Sequence, residues 1–184
     1  MKKLEPATTA LLLIDVINHF DFDGSEQLLH HALPAARRIA DLKKRLRAAG
    51  IPAIYVNDNF GRWQSDFRDL VDCCVADDCK GREIAGLLKP EADDYFVLKP
   101  KHSGFYSTSL SNLLGYLGTE TIILTGFAGD ICVIYTANDA YMRDYHLVVP
   151  SDCVASESAD ANVNVLDHMR KRLKAEIVDS TSLG

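Results

Sequence analysis

The sequence predicts an α/β protein: a single domain spanning residues 1–184, with six parallel strands in one sheet and helices packed on both faces. Three observations predict it. Short apolar, β-branched runs recur along the chain, and helical periodicity fills the intervals between them. The runs are mostly continuous rather than alternating, as strands covered on both faces require. Strand and helix alternate throughout, so right-handed crossovers build three layers.

The first strand is Ala10–Asp15, which holds the long apolar run Ala10–Ile14. A helix follows over Pro34–Ala49, with Ala36, Ile39, Leu42 and Leu46 at helical spacing and Gly50 as its stop. The basic run Lys43-Lys44-Arg45-Leu46-Arg47 lies in its last turns and complements the helix dipole. Ala53–Asn57 is the second strand. The stretch 57–81 reads as a long irregular excursion over one sheet edge, holding Trp63, Cys73, Cys74 and Cys79. Next come a short helix at Arg82–Leu88, strand three at Tyr95–Lys99, and a helix at Ser109–Leu117 ahead of Gly118. Strand four, Thr121–Thr125, leads to a helix at Ile131–Arg143. Strand five at His146–Val149, a helix at Ala159–Leu173 and strand six at Glu176–Asp179 complete the pattern.

Several function classes are excluded or disfavoured. The formal net charge is −6 and no basic stripe offsets it, which argues against nucleic-acid binding. Ala10–Ile14 is far too short to span a bilayer, and no signal-peptide pattern opens the sequence, so no membrane partner is expected. Five cysteines, Cys73, Cys74, Cys79, Cys132 and Cys153, form an odd set without a secreted framework, and a reduced, cytoplasmic setting is expected. A zinc or redox reading of Cys73, Cys74 and Cys79 lacks an evident fourth ligand. No G-x-G-x-x-G or P-loop supports a nucleotide binder.

Ligands of open parallel sheets sit outside the carboxyl ends of the strands. Here those ends carry Asp15, Asn57-Asp58 and Lys99, and strand four leads through Thr125-Gly126-Phe127-Ala128-Gly129-Asp130-Ile131 into Cys132. An acid, a cation and a thiol at a helix start therefore converge on one edge. Each has an ordinary structural reading alone: Asp15 as a loop cap, Lys99 as a solvated residue before Pro100, and Cys132 as a small core hydrophobe. Their convergence favours chemistry. A free thiol with a pKa of about 8.5 is only about 3% ionised at neutral pH. Lys99 and the helix N-terminus are expected to lower that of Cys132.

The chain resembles the isochorismatase-like cysteine hydrolases. The resemblance rests on Leu11-Leu12-Leu13-Ile14-Asp15, on Lys99 through Leu110 with Ser103-Gly104-Phe105, and on Leu124-Thr125-Gly126 through Cys132-Val133. It continues in Thr136-Ala137-Asn138-Asp139-Ala140 and Pro150-Ser151-Asp152-Cys153. It implies the sheet order 3-2-1-4-5-6 and a catalytic triad of Asp15, Lys99 and Cys132, with Lys101 the neighbouring competitor for Lys99. On that order Lys99 starts two strands from Asp15, about 10 Å away, and its side chain must reach back. The resemblance also implies a cis peptide at Phe127–Ala128, with an oxyanion hole formed by the Ala128 and Cys132 N–H groups.

The implied activity is hydrolysis of an amide or ureido C–N bond in a small-molecule substrate, by a homo-oligomer (dimer or tetramer). The metal ligands of nicotinamidases in this family, Asp-x-His and a further His, have no counterpart, since no histidine occurs between His31 and His102. No cofactor is expected, and a nicotinamidase-type amidase would have to work without metal. Phe20 and Trp63 are candidate walls of an apolar substrate pocket. A non-catalytic interaction subunit that keeps the fold is the alternative from a different class.

Overall fold

The computed structural model describes residues 4–61, 63 and 66–184. Its sheet is built from β1 (Thr9–Ile14), β2 (Ala53–Asp58), β3 (Tyr95–Lys99), β4 (Thr121–Phe127), β5 (His146–Pro150), β6 (Val154–Ala155) and β7 (Glu176–Val178). The order is β3-β2-β1-β4-β5-β7, all parallel, with β6 beside the end of β4. This is the expected order, with β7 in the place of the sixth strand. The seventh, β6, is a correction: two residues are too short to show a pattern, and they pair Gly126 with Val154 and Phe127 with Ala155.

Among the described residues six α-helices cover the sheet: α1 (Ser25–Ala48), α2 (Phe67–Cys74), α3 (Arg82–Leu87), α4 (Leu110–Tyr116), α5 (Ile134–Tyr141) and α6 (Ala159–Arg172). Side chains alternate across β1 and sort the core into two layers. Leu11 and Leu13 pack with Ile39, Leu42 and Leu46 of α1 and with Leu70 and Ile84 of α2 and α3. Leu12 and Ile14 pack with Leu110, Ala137 and Met169 of α4, α5 and α6. Among the described residues no helix is long and apolar enough to cross a membrane.

Two helices differ from expectation. α1 begins nine residues before Pro34 and runs through it, because Leu28 and Ala32 of the earlier turns are buried in the core. That burial outweighs the single hydrogen bond the proline removes. In the stretch read as irregular, α2 is capped by Asp66, whose carboxylate accepts from the Arg68 and Asp69 N–H groups at 2.7 and 2.9 Å. Its Phe67, Leu70, Val71 and Cys74 are buried at helical spacing.

The centre of the sheet is tight where the site lies. Gly126 has φ 120°, and a Cβ there would meet the Ile14 carbonyl oxygen at 2.0 Å. Only glycine lets β4 approach the end of β1 so closely. A Cβ at Gly129 would fall 2.7 Å from Val154 Cγ1, so β6 buttresses the turn that carries Cys132.

Candidate active site

Asp15 is the first residue after β1, with φ 51°. Its N–H donates to the Val56 carbonyl at 3.0 Å, and its Oδ1 accepts from the Asp58 N–H at 2.7 Å, which ties the carboxylate to the end of β2. Lys99 closes β3 in register with Asp58 and has no exposed surface. Its side chain reaches back across β2. Nζ stands 2.8 Å from Asp15 Oδ2, 3.6 Å from Asp58 Oδ2 and 3.5 Å from Cys132 Sγ. Lys101, the neighbouring alternative, is exposed.

The Phe127–Ala128 peptide is cis. The Ala128 carbonyl then accepts from the Ile131 and Val133 N–H groups, each at 3.2 Å, closing one wide turn over Gly129–Val133. Cys132 lies in that turn, and α5 starts only at Ile134, three residues later than the sequence pattern places it. Helix α5 is tied to the Cys132 backbone through Thr136, whose hydroxyl donates to the Cys132 carbonyl at 2.7 Å.

The electrostatics correct one expectation. Burial pushes the Cys132 thiol well above its ordinary range. The Asp15 charge adds to that rise, and the opposing pull of Lys99 does not cancel it. Burial also raises Asp15 above the ordinary carboxylate range, against the pull of Lys99. Burial alone would lower Lys99, but Asp15, Cys132 and Asp58 outweigh it and hold the ammonium firmly charged. The resting site therefore holds Cys132 as a thiol rather than as a preformed thiolate. Alkylation of Cys132 by iodoacetamide is expected to be slow at pH 7 and to rise roughly tenfold per pH unit towards pH 9, because only the thiolate reacts. Mass spectrometry of the labelled peptide checks this; fast labelling independent of pH over that range would contradict it.

A cavity of about 320 Å³ opens at the ends of β1 and β2, lined by Asn18, His19, Phe22, Asp58, Phe60 and Cys73 among others. Asp58 joins the cavity to the Asp15, Lys99 and Cys132 cluster, since it both lines the cavity and faces Lys99. The expectation for Phe20 is corrected: its ring has no exposed surface and packs in the core. Asn18 Oδ1 accepts from the Phe20 N–H at 2.8 Å, and Phe20 takes φ 53°. That turn sends Phe20 inward and leaves Phe22, 42% exposed, at the cavity. Trp63 is 80% exposed and is not among the residues lining the cavity. Phe22, Phe60 and His102, whose Nδ1 is 3.8 Å from Cys132 Sγ, were missed by the sequence reading. The Asx turn at Asn18 was the one signal that pointed to Phe22.

Cys73, Cys74 and Cys79 gather at the end of α2. Cys74 is buried and pushed up to about 12, first by desolvation and then by Cys79 and Cys73, so it stays a thiol. Among the described residues no group of three or more His, Cys, Asp or Glu is placed to hold a metal ion.

A family model described as the isochorismatase domain matches residues 9–182. The chain belongs to the isochorismatase family. It is 42% identical over 174 residues to the isochorismatase family protein YaaI of Bacillus subtilis (strain 168), covering 95% of each chain. It is 29% identical over 181 residues to the ureidoacrylate amidohydrolase RutB of Methylobacterium radiotolerans, covering 81% of this chain and 67% of that one. Among solved structures, the N-carbamoylsarcosine amidase of Thermoplasma acidophilum superposes with a TM-score of 0.72 at 29% identity, over 94% of this chain and 96% of that one. A cysteine hydrolase of Pseudomonas syringae superposes with a TM-score of 0.79 at 24% identity, over 99% of this chain and 93% of that one, and so shares the isochorismatase-like fold. A relative named for amide hydrolysis thus matches this chain in sequence, and another matches it in fold as well.

Proposed function

We propose that this isochorismatase-family protein hydrolyses a C–N bond of a small-molecule amide or ureido compound through a thioester on Cys132. The observation that carries the reading is the buried Lys99 ammonium shared between Asp15 Oδ2 at 2.8 Å and Cys132 Sγ at 3.5 Å. A cation placed between a carboxylate and a thiol stabilises the charge on whichever of the two has lost the proton. The raised Asp15 and Cys132 suit a direct transfer: Asp15 accepts the thiol proton as the sulfur attacks, so no free thiolate accumulates.

The sulfur lone pair then forms the C–S bond, and the carbonyl π pair moves to oxygen. The Ala128 and Cys132 N–H groups are the proposed donors to that oxyanion, each worth about 10²–10³ in rate when well placed. Collapse of the intermediate breaks the C–N bond, and the leaving nitrogen takes the proton from Asp15. Water hydrolyses the thioester. The cavity beside Asp58 receives the rest of the substrate, and the likeness to a ureidoacrylate amidohydrolase and an N-carbamoylsarcosine amidase supports testing ureido compounds first.

Ammonia release from a panel of small primary amides and ureido compounds tests the reading, with Cys132→Ser protein as the blank. Release by the wild type alone supports it. Equal release by both proteins, or none from any compound, overturns it.

A further inference from the structure

His102 places a second base beside the reacting sulfur. Its Nδ1 lies 3.8 Å from Cys132 Sγ, while the ring is exposed and tilted against Tyr135 at a centroid distance of 5.4 Å. Asp15 and Lys99 reach the sulfur from the buried side, with 5% and 0% exposure. His102 therefore stands on the side from which solvent arrives.

Its position is built. The next residue, Ser103, hydrogen-bonds through its hydroxyl to the Asp139 carboxylate on α5. The Gly104 N–H donates to Thr136 Oγ1 at 3.0 Å, and that hydroxyl donates to the Cys132 carbonyl. A Cβ at Gly104 would fall 2.7 Å from Val56 Cγ1, so the loop is pressed onto the sheet. The loop carrying His102 and the turn carrying Cys132 are thus registered against one helix.

We propose that His102 is the catalytic base for hydrolysis of the Cys132 thioester, an assignment that rests on the thioester reading above. Water enters from the exposed side and gives a proton to His102 as its oxygen bonds to the thioester carbonyl carbon. Collapse breaks the C–S bond and returns the electron pair to sulfur. The proton on His102 passes to that sulfur, restoring the thiol, and the product leaves as a carboxylic or carbamic acid. Asp15 serves the first half of the cycle from within, and His102 serves the second half from the solvent side.

The probe is 4-nitrophenyl acetate, whose nitrophenolate reports acylation and whose acetyl group reports the thioester by intact mass. His102→Gln protein is expected to show an acetylation burst within about threefold of the wild-type rate, followed by turnover about 100-fold slower or more. Acetyl-Cys132 accumulates in it, and hydroxylamine, a nucleophile already neutral at pH 7, restores turnover. Turnover equal to wild type overturns the assignment. So does a burst slowed as much as turnover with no acetyl-enzyme, which would place His102 in the attack step. Thermal unfolding of the variant separates either result from misfolding. If wild-type protein carries no acetyl group on Cys132 at any time, the thioester reading itself fails. If it does, and His102→Gln protein hydrolyses it equally fast, only the His102 assignment fails.

Discussion

Cys132→Ser protein is expected to release ammonia at least about 10⁴-fold more slowly than wild type on any amide the wild type cleaves. Serine keeps the size of the side chain but replaces a polarisable sulfur by an oxygen that holds its proton far more tightly. Asp15 and Cys132 form a carboxylate–thiol pair whose proton affinities burial raises together, with Lys99 beside both. A hydroxyl is not matched to that carboxylate. Because the side chain is only partly buried and its backbone is fixed by the turn closing on Ala128, the variant is expected to keep its unfolding midpoint. Loss of rate with unchanged stability identifies the sulfur as the reacting atom.

Lys99→Met is expected to remove both activity and stability. Its Nζ is the partner of Asp15 at 2.8 Å, with Asp58 at 3.6 Å and Cys132 at 3.5 Å, all around a side chain without exposed surface. Removing the cation leaves the Asp15 carboxylate buried without its opposite charge, which costs about 3 kcal/mol or more at neutral pH. The cost depends on pH with a definite sign. Asp15 already sits above the ordinary carboxylate range through burial, and loss of Lys99 raises it further. A carboxyl whose folded value is raised favours the fold below its unfolded value, and that advantage is lost as pH rises through the folded value. The variant is therefore expected to lie nearest wild type in mildly acidic urea titrations and to fall furthest behind above neutrality. A deficit that grows towards low pH would contradict the account.

Much of this site was legible because it is carried by strand ends. Continuous apolar runs define the strands, and parallel pairing brings their carboxyl ends together, so Asp15, Lys99 and Cys132 meet without detailed packing information. The strand order itself came from the resemblance to a known family. What the sequence hid depends on tertiary burial. A cation and a helix start read as groups that lower a thiol, but the desolvation that outweighs them follows from layers closing over the site. Phe20 and Phe22 are two residues apart and chemically alike, and the turn at Asn18 decides which one enters the core. Helix α2 has a capping aspartate and a clean apolar face, yet its eight residues sit inside a loop whose composition reads as irregular. The two residues of β6 offer no periodicity at all, although they support the turn that holds Cys132.

The measurement that bears most directly on the central claim is the mass of wild-type protein quenched in acid during its first turnover of an amide that releases ammonia. An adduct equal to the acyl part of the substrate, mapped by peptide digestion to Cys132 and removed by neutral hydroxylamine, is the expected result. Ammonia released in full stoichiometry with Cys132 never modified would show that the C–N bond is cleaved without a thioester.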